Sequence, residues 1–210
     1  MSDALPSPTN ETPIKNEAAV MDALWPLVAE RGWHGFSFSD LATRSGLDLA
    51  ELRQSFPAKF ELLRLHARLV DQAVLENSPV TSTGSARDRL FDTLMRRLDA
   101  LQPHRLGLLR FYRDLRSDPL LTLAMTPIIA ASMAWMLEAS NINACGPAGL
   151  LRVNGLSVVW LSTLREWEQD DSVDLGSTMA ALDRALDKAE RVANTFRMGE
   201  EDAAGVEQRL

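Results

Sequence analysis

Five side chains between residues 44 and 59 have the chemistry to hold a nucleic acid: Arg44, Leu49, Arg53, Gln54 and Lys59. An arginine or lysine pairs with a phosphate or with the acceptor edge of guanine. A glutamine amide matches the edge of adenine, and a leucine meets a thymine methyl. Ser37 adds a hydroxyl just upstream. Glu51 stands among them as a carboxylate that repels the nucleic-acid backbone. Residues 17–60 carry four basic side chains (Arg31, Arg44, Arg53, Lys59) against six acidic ones (Glu17, Asp22, Glu30, Asp40, Asp48, Glu51), a formal charge of −2.

Two short helices set at an angle are needed to position these groups, and residues 36–57 have that pattern. Leu41 and Ala42 face inward from the first helix, Gly46 supplies the turn, and Leu47 plugs the corner. Asp48 caps the second helix, whose inward residues are Leu52 and Phe56. This is the arrangement of a helix-turn-helix, in which the second helix enters a major groove. A preceding helix starts near Asn16 and carries Val20, Met21, Leu24, Leu27 and Val28 before Gly32. Pro26 lies inside it, and a bend or late start is expected at a cost of about 3 kcal/mol.

Downstream, a long helix from Ala58 to Asn77 leads to a loop at residues 78–84 and an amphipathic helix over Ser85–Leu101. The second face of that helix carries Arg87, Arg89, Arg96 and Arg97 and reads as a solvated surface. Another helix spans His104–Arg116, and Asp118-Pro119 opens an uncharged run to Leu137. That run approaches the length of a membrane span, but its prolines and hydroxyls fit a buried helix or pocket wall better, so no transmembrane segment is expected. After a loop over residues 140–149, a helix from Gly149 to Trp167 is apolar nearly all round, which calls for cover on both sides. The last helix sets Leu175, Met179, Leu182, Leu186, Ala189 and Ala193 on one seam, suited to a helix of the same chain or of a second copy. Met95, Phe111, Met125, Met133, Trp135 and Trp160 are soft or aromatic residues of these helices that could line an apolar pocket, although ordinary core packing explains them as well.

The totals exclude several classes. At 210 residues and 46% hydrophobic content the chain can bury a large core, and its Leu/Ala/Arg/Glu composition is that of an all-α protein. A net charge of −7 gives no general attraction to nucleic acid, so only a local face can bind it. The single Cys145 allows no internal disulfide, and the first residues lack the features of an export signal, which points to the cytoplasm. His34, His66 and His104 have no metal-ligand spacing, and no metal or cofactor is expected. Asp170, Asp171 and Asp174 read as a capping turn. Neither a phosphate loop nor a nucleophile motif is present, so catalysis is not expected. Residues 1–15 read as a disordered arm, 16–63 as the helix-turn-helix head, 64–197 as a helical body, and 198–210 as a disordered acidic tail.

From Val20 to Leu63 the chain resembles the TetR family of bacterial transcriptional regulators, through Ala29-Glu30-Arg31-Gly32-Trp33, Asp40-Leu41-Ala42, Arg44, Gly46-Leu47, Phe56-Pro57, Lys59 and Leu62-Leu63. The resemblance implies an all-α homodimer with a DNA-binding head. It also implies a body that takes a small apolar ligand and pairs through its last two helices. A second stretch, Trp167, Asp170-Asp171-Ser172, Asp174, Thr178 and Leu182-Asp183-Arg184, looks like the lipid-binding accessory family of ubiquinone biosynthesis. That likeness implies an isoprenoid-lipid ligand and a partner-enzyme surface around Trp167, Asp170, Asp171 and Ser172, with a head that does not bind DNA.

Overall fold

The computed structural model describes residues 17–77 and 84–207, with side chains through residue 193. The expected N-terminal arm, all but Gly84 of the 78–84 loop, and residues 208–210 lie outside the described residues. Among the described residues the fold is all-α, without strands. The helices are α1 (Glu17–Arg31), α2 (Phe38–Ser45), α3 (Leu49–Ser55), α4 (Lys59–Glu76), α5 (Ala86–Leu101), α6 (Arg105–Ser117), α7 (Pro119–Ala139), α8 (Gly146–Trp167) and α9 (Gly176–Glu207). A single 3-10 turn, Gln102–His104, joins α5 to α6.

Local chemistry sets most of the helix starts. Ser37, Asp48 and Ser85 each form a reciprocal capping box, with Asp40, Glu51 and Asp88 respectively. Asp118 accepts from the Leu121 N–H at 3.0 Å and is followed by Pro119 in the first turn of α7. At the end of α2, Gly46 takes the left-handed conformation (φ 71°) and its N–H closes on Ala42 O at 2.9 Å. Pro147 likewise sits in the first turn of α8, which starts at Gly146 rather than at Gly149 as the composition of residues 140–149 suggests.

The packing then assembles one continuous core. Nearly the whole inner surface of α1 is buried, including Val20, Leu24, Trp25, Leu27 and Val28, against α2 and α6. Helix α6 crosses α1 at Gly107, where a Cβ would come within 2.3 Å of the Trp25 carbonyl oxygen, so only glycine permits that approach. Supported in this way, α1 runs through Pro26 as one helix. Helix α4 packs on α5 and α7, α7 on α8, and α8 on α9, which also closes onto α5. Trp25, Trp33, Phe36 and Phe111 meet edge to face with centroids 5.3 to 6.1 Å apart, tying α1, the α1–α2 loop and α6 together.

Two expectations are revised by the structure, for the arginine face of α5 and for the end of α9. The arginine face of α5 is not a solvated surface. Arg87 pairs with Asp183 and Asp187 of α9 at 2.6 and 2.7 Å, Arg89 donates to Ser140 O at 2.8 Å, and Arg97 is buried. Of the two partners expected for the α9 seam, the same chain supplies one: Leu175, Leu182 and Leu186 are buried where α9 packs on α8 and α5. Residues 198–207 continue α9 as helix, in keeping with a sequence rich in Glu and Ala.

Candidate functional site

The helix-turn-helix is formed as its sequence pattern requires, with Leu41, Leu52 and Phe56 buried and α3 turned outward. Leu49, Arg53 and Gln54 are exposed on α3, and Arg53 and Gln54 have no hydrogen bond or ion pair among the described residues. Glu51 accepts the Asp48 N–H at 3.3 Å, so the carboxylate that faces the expected phosphate path also caps the helix that would read DNA. The other predicted contacts are engaged within the chain. Arg44 pairs with Glu30 of α1 at 2.7 Å, in an exposed bridge. Ser37 spends its hydroxyl on Asp40, whose carboxyl is pulled down to about 2 by the Ser37 side chain and N–H and then by Arg31.

Lys59 differs most from its predicted role. Its ammonium donates to the carbonyls of Phe36 and Trp33 and lies 4.1 Å from the Phe36 ring centroid. Partial burial lowers its pKa, with Asp40 acting in the opposite sense. It clamps the α1–α2 loop to α4. The same loop is held from the other side, where the Trp33 N–H donates to Asp114 of α6 at 2.7 Å. The helix-turn-helix is thereby fastened to α6 as well as to α4.

The predicted pocket residues do not gather around one cavity. Met133 and Trp160 are core residues, Phe111 belongs to the aromatic cluster, and Met95 and Met125 pack against the core as half-buried side chains. Trp135 is 55% exposed and lies on the outer face of α7 with Leu120 and Leu123, because the inward register of that helix is taken by Leu121, Ile128, Met133 and Met136. Helix α7 is the one described helix long and apolar enough to cross a membrane, yet it packs on α4, α5, α6 and α8. At its centre, Asp71 of α4 takes a hydrogen bond from Ser132 of α7 at 2.8 Å and forms a short ion pair with Arg97 of α5.

A cavity of about 260 Å³ lies instead between α1, α4 and the α5–α6 junction. It is lined by Met21, Leu69, Val70, Ala73 and Ala100, with Asp22, His66 and His104 as its polar members. No predicted ligand residue borders it.

The whole arrangement matches known structures. The chain superposes on the TetR transcriptional regulator from Nitrosomonas europaea ATCC 19718 with a TM-score of 0.66 at 22% identity, over 83% of this chain and 97% of that one. A TetR transcriptional regulator from Rhodococcus sp. RHA1 matches with a TM-score of 0.61 at 16% identity, over 83% of this chain and 94% of that chain. The fold is TetR-like. No family model and no curated protein matches the sequence.

Within this TetR-like fold, two of the four residues expected on a partner surface face inward. Trp167 is fully buried, and Arg105 stacks over it at 4.7 Å while donating to Trp167 O at 2.7 Å and Asp170 O at 2.9 Å. Asp170 is also buried. One carboxylate oxygen accepts from the Thr178 N–H and hydroxyl at 2.8 and 2.7 Å, the other from Ser172, and these bonds hold its carboxyl far below the usual range. Only Asp171 and Ser172 are exposed. The residues behind the second resemblance thus form the lock between α6, α8 and α9, because a turn joining two long packed helices must anchor both ends.

No motif marks the buried roles of His66, Asp71 and Arg97. Their signal was a polar residue in an apolar register. His66 falls on the stripe of α4 that contains Leu62, Leu63, Val70 and Val74, where a histidine has to find buried partners.

Proposed function

We propose that the chain is a cytoplasmic transcriptional regulator that binds operator DNA as a homodimer and releases it when a small apolar molecule binds the body. The observation that carries this reading is α3: a doubly capped helix with Leu49, Arg53 and Gln54 outward and its two polar readers unengaged by the described residues. Their weight comes from their place, on the outward face of the second helix of a helix-turn-helix, where side chains of this chemistry reach base edges and phosphates. The chain acts by binding, without a chemical step. Ligand shifts the population between head spacings that fit two half-sites and spacings that do not.

The outer face of α8 supports the dimer. Leu150, Leu151, Val158 and Leu161 are exposed there, although this helix is apolar nearly all round. Gly155 lies on the same face, and a Cβ there would meet nothing within 4 Å. A glycine inside a helix costs about 1 kcal/mol relative to alanine. Nothing among the described residues requires it, whereas a helix from a second copy approaching along α8 would. With the α9 seam used internally, α8 is the principal pairing helix and α9 supports it from behind.

Selection of bound fragments from the source genome at physiological salt tests the reading; an enriched near-palindrome is the expected outcome and a flat background overturns it. Arg53→Ala is expected to weaken binding to the selected site by about 1–3 kcal/mol and to relax its sequence preference. Because Arg44 and Lys59 are engaged in the chain, the salt dependence should correspond to few phosphate contacts per head, each adding about 0.9 to the log–log slope.

A further inference from the structure

Helices α7, α8 and α9 form one layer of the body, since α7 and α9 both pack on α8 and both lie on α5 beneath it. Their outward faces therefore share one side of the molecule, and they differ in character. On α9, through residue 193, that side carries Arg184, Lys188 and Glu190, with Val192 as its one large exposed apolar residue among those described. On α7 it is an uncharged stripe of Leu120, Leu123, Pro127, Ala131 and Trp135, three or four residues apart and all exposed. Helix α8 adds Leu151, Val158 and Leu161 around Gly155. The apolar outer surface thus belongs to α7 and α8 rather than to α8 and α9.

A short turn over residues 140–145 joins α7 to α8, and the two helices pack together, so they run antiparallel. Counted from the middle of that turn, Pro127 and Val158 lie at equal depth. By the same count Ala131 falls beside Gly155 towards the turn, and Leu123 beside Leu161 away from it. This pattern is self-complementary. A two-fold axis at Pro127 and Val158 that exchanges the ends of the hairpin sets Leu161 of one copy over Gly155 of the other, and Leu123 over Ala131. A large side chain then meets a small one in both helices. The same axis opposes unlike charges. Exposed Glu138 and Arg152 lie at one end, exposed Arg165 and Glu166 at the other, and the side chains of Arg165 and Glu166 have no hydrogen bond or ion pair among the described residues. Two helices of 21 and 22 residues present a face of roughly 30 Å by 20 Å, of the order of the ~800 Å² per partner in a stable interface. Trp135, 55% exposed at the turn end, is the kind of side chain that anchors such a contact. We propose that the outer face of α7 and α8 docks a second copy of this chain, antiparallel, with Pro127 and Val158 at the two-fold axis. The proposal rests on the homodimer reading and deepens it, giving α7 the place that the family resemblance implies for α9.

The test combines sedimentation equilibrium with disulfide trapping of the full-length protein in a Cys145→Ser background. A residue on a two-fold axis meets its own copy, so Val158→Cys and Pro127→Cys are each expected to give a cross-linked dimer under mild oxidation. Lys188→Cys, on α9, is expected to give none. Gly155→Leu and Ala131→Trp fill the two hollows from exposed positions, and each should weaken the dimer by about tenfold or more. Gly155→Leu also raises helix propensity, so its loss of dimer would not come from a weaker helix. Thermal melts identify which variants are folded, and either folded hollow-filling variant is sufficient. The proposal is overturned by a dimer that cross-links through Lys188→Cys, by failure of either axial cysteine to cross-link in a protein that remains dimeric, or by unchanged dimer affinity in a folded hollow-filling variant. Each of those results leaves the homodimer reading standing. A protein monomeric at every accessible concentration would remove both, and a monomer recruited to phosphatidylglycerol vesicles would assign the face to lipid instead.

Discussion

Replacing Asp71 by leucine should be among the most destabilising single changes in the protein, and replacing Arg97 by methionine in the same chain should reverse most of the loss. The two side chains are only 11% and 8% exposed, so neither charge is hydrated to any useful degree. Asp71→Leu leaves a guanidinium in the core with its Nε already unpartnered and only the Trp160 ring, 5.3 Å from centroid to Cζ, to offset it. Breaking a buried pair in this way costs about 3–5 kcal/mol. The double variant removes both desolvation penalties along with the attraction, a replacement that in other proteins is neutral to about 1–4 kcal/mol stabilising. Ser132 then loses its acceptor, which takes back about 1–3 kcal/mol, so the expected net change is close to zero. Urea unfolding followed by circular dichroism at one fixed protein concentration yields the four stabilities of the cycle. A double variant as unstable as Asp71→Leu, or a coupling energy below about 1 kcal/mol, would refute the claim that the charges are held at the cost of their hydration.

Gly107→Ala is expected to destabilise by about 1–3 kcal/mol or more, since the new Cβ would lie 2.3 Å from a backbone oxygen that only separation of α1 from α6 can clear; urea midpoints check this. Acid should act through His66: the unfolded ring takes a proton below 6.5 and the folded ring resists down to about 3, so its contribution is complete above pH 6.5 and falls between those values by about 1.4 kcal/mol per pH unit. His104, also lowered by burial, acts in the same direction, and His66→Phe should remove most of the slope in thermal melts taken from pH 7 to pH 4.

The parts of this protein legible in its sequence are those governed by neighbours three or four residues apart. Ser37 with Asp40, Asp48 with Glu51, Gly46 after α2 and Pro119 after Asp118 are local choices, so the helix-turn-helix, most helix bounds and the all-α class follow from reading along the chain. The site was less legible, because the availability of a side chain depends on distant partners. Arg44 and Lys59 have the right chemistry for phosphate, yet Glu30 and the Phe36 carbonyl engage them from 14 and 23 residues away. Trp167 and Asp170 read as a recognition surface until Arg105, 62 and 65 residues upstream, is seen to close over them. Arg97 lies among charged neighbours in the sequence, and only the fold brings Asp71, 26 residues away, against it across the core. His66 carries no motif at all, and only the Trp25 indole, 41 residues away, decides which of its nitrogens bears a proton. Capping and periodicity act within one helix and are written into the sequence. Burial, pairing and tautomer are properties of the space between helices, and the tertiary structure alone decided them.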